Sequence, residues 1–215
     1  MTNLIWFKFL AITGAVFAVL GTVIAGIIYR GKEGERYSPF NHFISELGEM
    51  GVSRLAPAFN LGLILSGITL IPAALCLGMT LPGVLAKLGM AAGVICAVSL
   101  ALVGIFPMNK TRPHGKAAVT FFRTGLAMVA FFSLAIAFQE GDEVLLSRGY
   151  ALAGLPPILA FGAFLILIGR AYQEDDEPLA VEGVQRPKFW HLAAVEWSIF
   201  LAVLLWFILL GLGLG

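Results

Sequence analysis

Six long apolar runs divide the chain: Phe7 to Tyr29, Ala56 to Met79, Val84 to Phe106, Ala117 to Phe138, Tyr150 to Ala171 and Phe189 to Leu210. A helix rising 1.5 Å per residue needs about 20 mostly apolar residues to cross the hydrocarbon core, and every run reaches that length. The pattern predicts an all-α polytopic membrane protein with six transmembrane helices, forming a single six-helix transmembrane domain over residues 1–215. The apolar core of the first run, Phe9 to Ile28, exceeds the roughly 7–15 residues of a signal-peptide h-region, so it too is read as a span.

The polar connections are unequal. Residues 80–83 form a tight turn carrying Pro82 and Gly83, and residues 172–188 contain the acidic run Glu174-Asp175-Asp176-Glu177, read as a solvated loop. Loop one, residues 30–55, has internal design. Ser38 can cap a helix with Pro39 at its first position, and Gly48 can end it. Between them Phe40, Phe43, Ile44 and Leu47 recur at i, i+3, i+4 and i+7, with His42, Ser45, Glu46 and Glu49 on another face. This spacing predicts a short interfacial amphipathic helix over about residues 39–47. It is too short to span, so it lies at the interface or dips into the mouth of the bundle.

Composition narrows the class. The chain is 59% hydrophobic and only 13% charged, against about 25% charged in an ordinary soluble domain. So few charges could not cover a water-facing surface. A net charge of +1 leaves no basic footprint for nucleic acid. Because spans alternate, loops one, three and five share a face. That face carries Arg30, Lys32, Arg36, Arg54, Lys110, Arg112, Lys116, Arg123, Arg170, Arg186 and Lys188, whereas the other carries Lys8, Lys87 and Arg148. The positive-inside rule then places the odd-numbered loops in the cytoplasm of a cell-membrane protein.

Cys76 and Cys96 form no CxxC pair. Their expected depths differ by about 12 Å, beyond the roughly 7 Å bridging limit, so both are expected as free, packed thiols. Gly89 and Gly93 form a GxxxG, read as packing within the bundle.

Candidate chemistry gathers towards the odd-loop face: His42, Ser45, Glu46, His114, Arg123, His191 and Glu196. Ionisable residues inside a span are costly and are site candidates by default. Arg123 lies six residues into the fourth span and Glu196 seven into the sixth, both about 9–10 Å deep. Two opposite charges at one depth are expected to pair, directly, through water or through a bound headgroup whose phosphate or carboxylate Arg123 would take. No two histidines share a span, and neither HExxH nor GxSxG occurs. No haem, metal or other cofactor is therefore expected, and Ser45 is read as a hydrogen-bonding residue despite its i, i+3 spacing from His42. Pro72 and the pair Pro156-Pro157 are the mid-helix breaks, too few for a transporter built on inverted repeats.

The stretch YSPFNHFISELGEMGVSRLAPAFNLGLILSG and the later GIFPMNKTRPHGKAAVTFF resemble the two landmarks of the DUF998 membrane family. The matching positions are His42, Ser45, Glu46, Gly48, Asn60, Gly62, Pro107 and His114. The layout is similar, more distantly, to the Frag1/DRAM group, which implies an association with lipid remodelling and membrane traffic. Two functional readings stay open. In one, the polar set binds or modifies a membrane lipid or other amphiphile. In the other, the chain is an accessory subunit whose protein partners lie in a larger membrane complex, and the polar set is a stability network.

Overall fold

The computed structural model describes residues 2–139, 145–174 and 186–213. The six expected spans are present as α1 (Thr2–Ile28), α2 (Ala56–Thr80), α3 (Gly83–Ile105), α4 (Thr111–Ala137), α5 (Leu155–Glu174) and α6 (His191–Gly213). Each is long and apolar enough to cross a membrane. No strand occurs among the described residues. The acidic run from Asp175 to Glu177 lies outside them.

Consecutive helices pack side by side from α1 to α6, and α6 returns against α1 to close a ring. The division of faces is visible on α1. Ile5, Phe9, Ile12, Val16, Leu20, Val23 and Ile27 are exposed on one stripe, whereas Phe7, Ala11, Ala18 and Ala25 are buried on the other. Helices in lipid gain no hydrophobic drive towards one another, so small residues that admit close backbone approach carry the packing. A Cβ on Gly62 would lie 2.7 Å from the Phe17 carbonyl oxygen and 3.1 Å from Gly21 Cα, so the α1–α2 crossing depends on both glycines. The GxxxG glycines of α3 pack within the bundle: a Cβ on Gly89 would meet the Phe132 ring, and one on Gly93 would meet Ala74 and Met128. Phe122 and Phe164, 4.1 Å apart between ring centroids, join α4 to α5. Both cysteines are free.

Three local differences from the sequence reading matter for the site. First, α4 starts at Thr111 rather than Ala117, because Pro113 is tolerated in a first helical turn, where no intrahelical donor is needed. The His114 N–H makes an i→i−4 bond to the Lys110 carbonyl, which moves His114 from a loop onto a helix. Second, Pro156-Pro157 is not a mid-helix break. It occupies the first turn of α5, after a 3-10 helix over Arg148–Gly154.

Third, the predicted helix over residues 39–47 is not one helix. Ser38 to His42 form a turn closed on the Ser38 carbonyl, Phe43 is extended (φ −63°, ψ 148°), and a 3-10 helix follows at Ile44–Gly48. The break defeats the expected division of faces. Phe40 is exposed, whereas the polar residues His42, Glu46 and Glu49 are buried with Phe43 and Leu47. Loop one dips into the end of the bundle. Its break has a physical cause: extended Phe43 frees two successive N–H groups, and each finds a carboxylate. The Glu46 Oε1 accepts from Phe43 N at 2.8 Å, and the Glu196 Oε2 accepts from Ile44 N at 2.7 Å.

Candidate functional site

The hydrogen bonds that hold loop one run mainly to α6 and the segment before it. The Trp190 N–H donates to the Phe40 carbonyl at 2.8 Å, and Trp197 Nε1 donates to the Tyr37 hydroxyl at 2.9 Å. That hydroxyl in turn donates to the Phe43 carbonyl at 2.9 Å. Asn60 on α2 holds the far end, donating from Nδ2 to the Gly48 carbonyl at 3.0 Å.

The strongest tie is an ion pair 140 residues apart in sequence. Arg186 Nη2 lies 2.6 Å from Glu46 Oε2 and Nη1 lies 3.0 Å from Oε1, with a further bond from Nη1 to the Asn41 carbonyl at 3.1 Å. The Glu46 side chain is fully buried and that of Arg186 is 22% exposed. Such a two-pronged contact matches the guanidinium fork to the carboxylate. Burial works against the Arg186 charge, but the bonds and charge of Glu46 outweigh it and hold the guanidinium above its ordinary pKa.

His42 sits beside this pair in an aromatic enclosure, its ring 5.5 Å from Tyr29 and 5.2 Å from Tyr37. Its Nδ1 is 2.7 Å from Asn41 Oδ1. Its Nε2 is 3.7 Å from Glu35 Oε1, too long for a hydrogen bond. Burial first, then the Arg186 charge, lowers the imidazole pKa, against the pull of Glu46 and Glu35. Burial also pushes the Tyr37 hydroxyl up, helped by the nearby Glu196.

Behind loop one, an elongated cavity of ≈ 140 Å³ runs inside the helix ring. Along α2 it is lined by Phe59, Leu63, Ser66, Leu70, Ala74 and Leu77, a single helical stripe. That stripe is about 27 Å long at 1.5 Å per residue, close to the roughly 30 Å depth of a hydrocarbon core. The end beneath loop one is polar. Ser45, His114 and Glu196 line it, and no lysine or arginine does so among the described residues.

His114 is 6% exposed and Glu196 is 8% exposed. His114 Nδ1 lies 2.8 Å from the Phe106 carbonyl oxygen. A carbonyl only accepts, so Nδ1 carries a proton and a neutral ring presents Nε2 as a lone pair. Glu196 uses Oε2 on the Ile44 N–H and leaves Oε1 available. No hydrogen bond or ion pair joins His114 to Glu196 among the described residues. The Ser45 hydroxyl is directed to Met108 Sδ at 3.7 Å, with no bond to His42 or His114, so a serine–histidine nucleophile is not assembled. Among the described residues no three metal-binding side chains converge.

The seven candidate residues therefore divide. Ser45, His114 and Glu196 share the cavity end, and His42 and Glu46 belong to the lock that holds loop one over it. The other two stand apart. His191 is exposed, its ring 5.1 Å from that of Phe189. Arg123 is exposed on α4 and does not pair with Glu196. Equal depth was not enough: the Glu196 carboxylate is occupied by a loop-one N–H, and Arg123 lies on a different face of its helix from the cavity-lining Phe121 and Phe122. Arg186, Tyr37 and Trp197 were missed by sequence reasoning. Nothing local marks Arg186 as different from the other loop arginines.

The family described as "Protein of unknown function (DUF998)" matches residues 12–213. No curated protein matches the chain, nor does any solved structure. The more distant likeness to the Frag1/DRAM group has no support among these comparisons. A match over nearly the whole length, with six helices able to span a membrane, makes this chain an integral membrane protein of the DUF998 family.

Proposed function

We propose that this protein binds a membrane amphiphile, with an apolar chain in the central cavity and a headgroup at Ser45, His114 and Glu196. One observation carries the reading: an apolar channel about as long as a hydrocarbon core is deep ends in two buried polar side chains with unused hydrogen-bonding capacity. Leaving such capacity unmet in a buried site costs roughly 1–3 kcal/mol per group, which a bound headgroup or water would recover. Apolar walls with a few convergent polar groups are the usual make-up of a ligand site.

Trp206 offers a test. It lines the cavity and is 0% exposed, so quenchers confined to surrounding lipid stay out of contact with it. The full chain in lipid nanodiscs would be titrated with single-chain amphiphiles brominated along the chain. The expected result is a component of the quenching that is lost in Trp206→Phe and in Ser66→Phe, which fills the channel, while the quenching of the exposed Trp6 remains. Quenching identical in the parent and both variants, or none with any chain, overturns the proposal.

A further inference from the structure

We infer that the cavity selects a single-chain amphiphile whose headgroup donates at least two hydrogen bonds and bears no negative charge, such as a primary amine or a terminal diol. This rests on the proposed function and specifies its ligand. The argument starts from what the polar end lacks. Phosphate and carboxylate headgroups need a cation or several fixed donors. Arg186 is committed to Glu46 on both prongs, and Arg123 points away. Glu196 provides no positive charge in either protonation state, and when ionised it repels an anion.

The groups available beneath loop one instead ask for donors; the unpartnered donor Trp206 Nε1 of the lining stands ten residues further along α6 from Glu196. In the ionised carboxylate Glu196 Oε1, and in the neutral ring His114 Nε2, are both acceptors without partners. They stand on α6 and α4, and no hydrogen bond joins them. A group seated between them therefore has to donate twice, once to each side. An ammonium has three protons to offer and a diol has two, whereas a phosphate diester has none. The width of the channel sets the tail. A cavity of ≈ 140 Å³ spread along the α2 stripe is narrow. That is room for one chain and not for the paired chains of a bilayer phospholipid.

The experiment uses the same nanodiscs and four brominated probes of one chain length: the primary amine, the 1-monoacylglycerol, the alkyl phosphate and the fatty acid. Quenching of Trp206, read as the difference between the chain and its Trp206→Phe variant, gives each affinity after correction for partition into empty discs. Amine and diol are expected to bind at least about tenfold tighter than phosphate and fatty acid, as befits charge-assisted or paired bonds. Glu196→Gln keeps an acceptor for the Ile44 N–H and should erase the advantage of the amine. Glu196→Asp, which retains the carboxylate, should keep it, and its unchanged Trp206 emission would show that the fold is intact. Equal affinities, or a preference for the anions, overturn the headgroup inference while leaving the cavity as an amphiphile site. A preference that survives Glu196→Gln overturns the assignment to Glu196. Failure of all four probes overturns the proposed function itself.

Discussion

The Arg186–Glu46 pair should govern how firmly loop one closes the bundle. Removing one partner of a buried ion pair typically costs 3–5 kcal/mol, because the survivor is left uncompensated. Here the Arg186 side chain keeps 22% of its surface exposed, so the cost of Arg186→Met is expected nearer 2–4 kcal/mol. At about 1.4 kcal/mol per factor of ten, the opened population of the segment would rise from roughly thirtyfold to several-hundredfold. Amide hydrogen exchange across residues 43–49 reads this directly, since Phe43 N and Ile44 N donate to Glu46 and Glu196. The two single variants should differ. Glu46→Gln still accepts from Phe43 N and leaves a guanidinium able to hydrate through its exposed side, so it should cost less than Arg186→Met. The double variant should cost less than the sum of the singles, because neither charge is then stranded. Unchanged protection in Arg186→Met, or strict additivity in the cycle, would refute the reasoning.

Two further outcomes are expected. Burial and the Arg186 charge hold the His42 pKa below its ordinary value of 6.5, so just below that pH the folded state binds fewer protons than the unfolded one. The stability that His42 confers is therefore complete above about pH 6.5 and is lost as the pH falls towards the lowered folded value. Thermal unfolding across that window should show a decline that His42→Gln flattens; a decline of the same size in the variant would remove His42 as its cause. Gly62→Val should destabilise the bundle by about 1–3 kcal/mol through overpacking against the Phe17 carbonyl and Gly21. Gly162→Ala, with nothing within 4 Å of its added Cβ, should be neutral or stabilising by up to about 1 kcal/mol. Equal unfolding temperatures for the two variants in one detergent would refute the close α1–α2 crossing.

The six spans were legible in the sequence because membrane insertion depends on a local quantity, the apolar content of about 20 consecutive residues. The packing role of Gly89 and Gly93 was legible for a similar reason, since small residues at i, i+4 mark one helix face. Residues that matched the family landmarks, among them His42, Glu46, Gly48, Asn60 and His114, do meet around loop one and the cavity end. What they do there was not legible. The periodicity of loop one suggested a continuous helix with a hydrated polar face. Instead the tertiary structure supplied carboxylates from Glu46 and Glu196 to an extended Phe43–Ile44 backbone, and hydrogen bonds to buried donors outweighed the local pattern. Depth along a helix can be counted from sequence, which is why Arg123 and Glu196 looked like partners. Rotation about the helix axis cannot be counted that way, because it follows from how small residues on neighbouring helices interlock. Arg186 shows the same limit most plainly: its partner is 140 residues away, and only the folding of both loops onto one end of the bundle brings the two charges together.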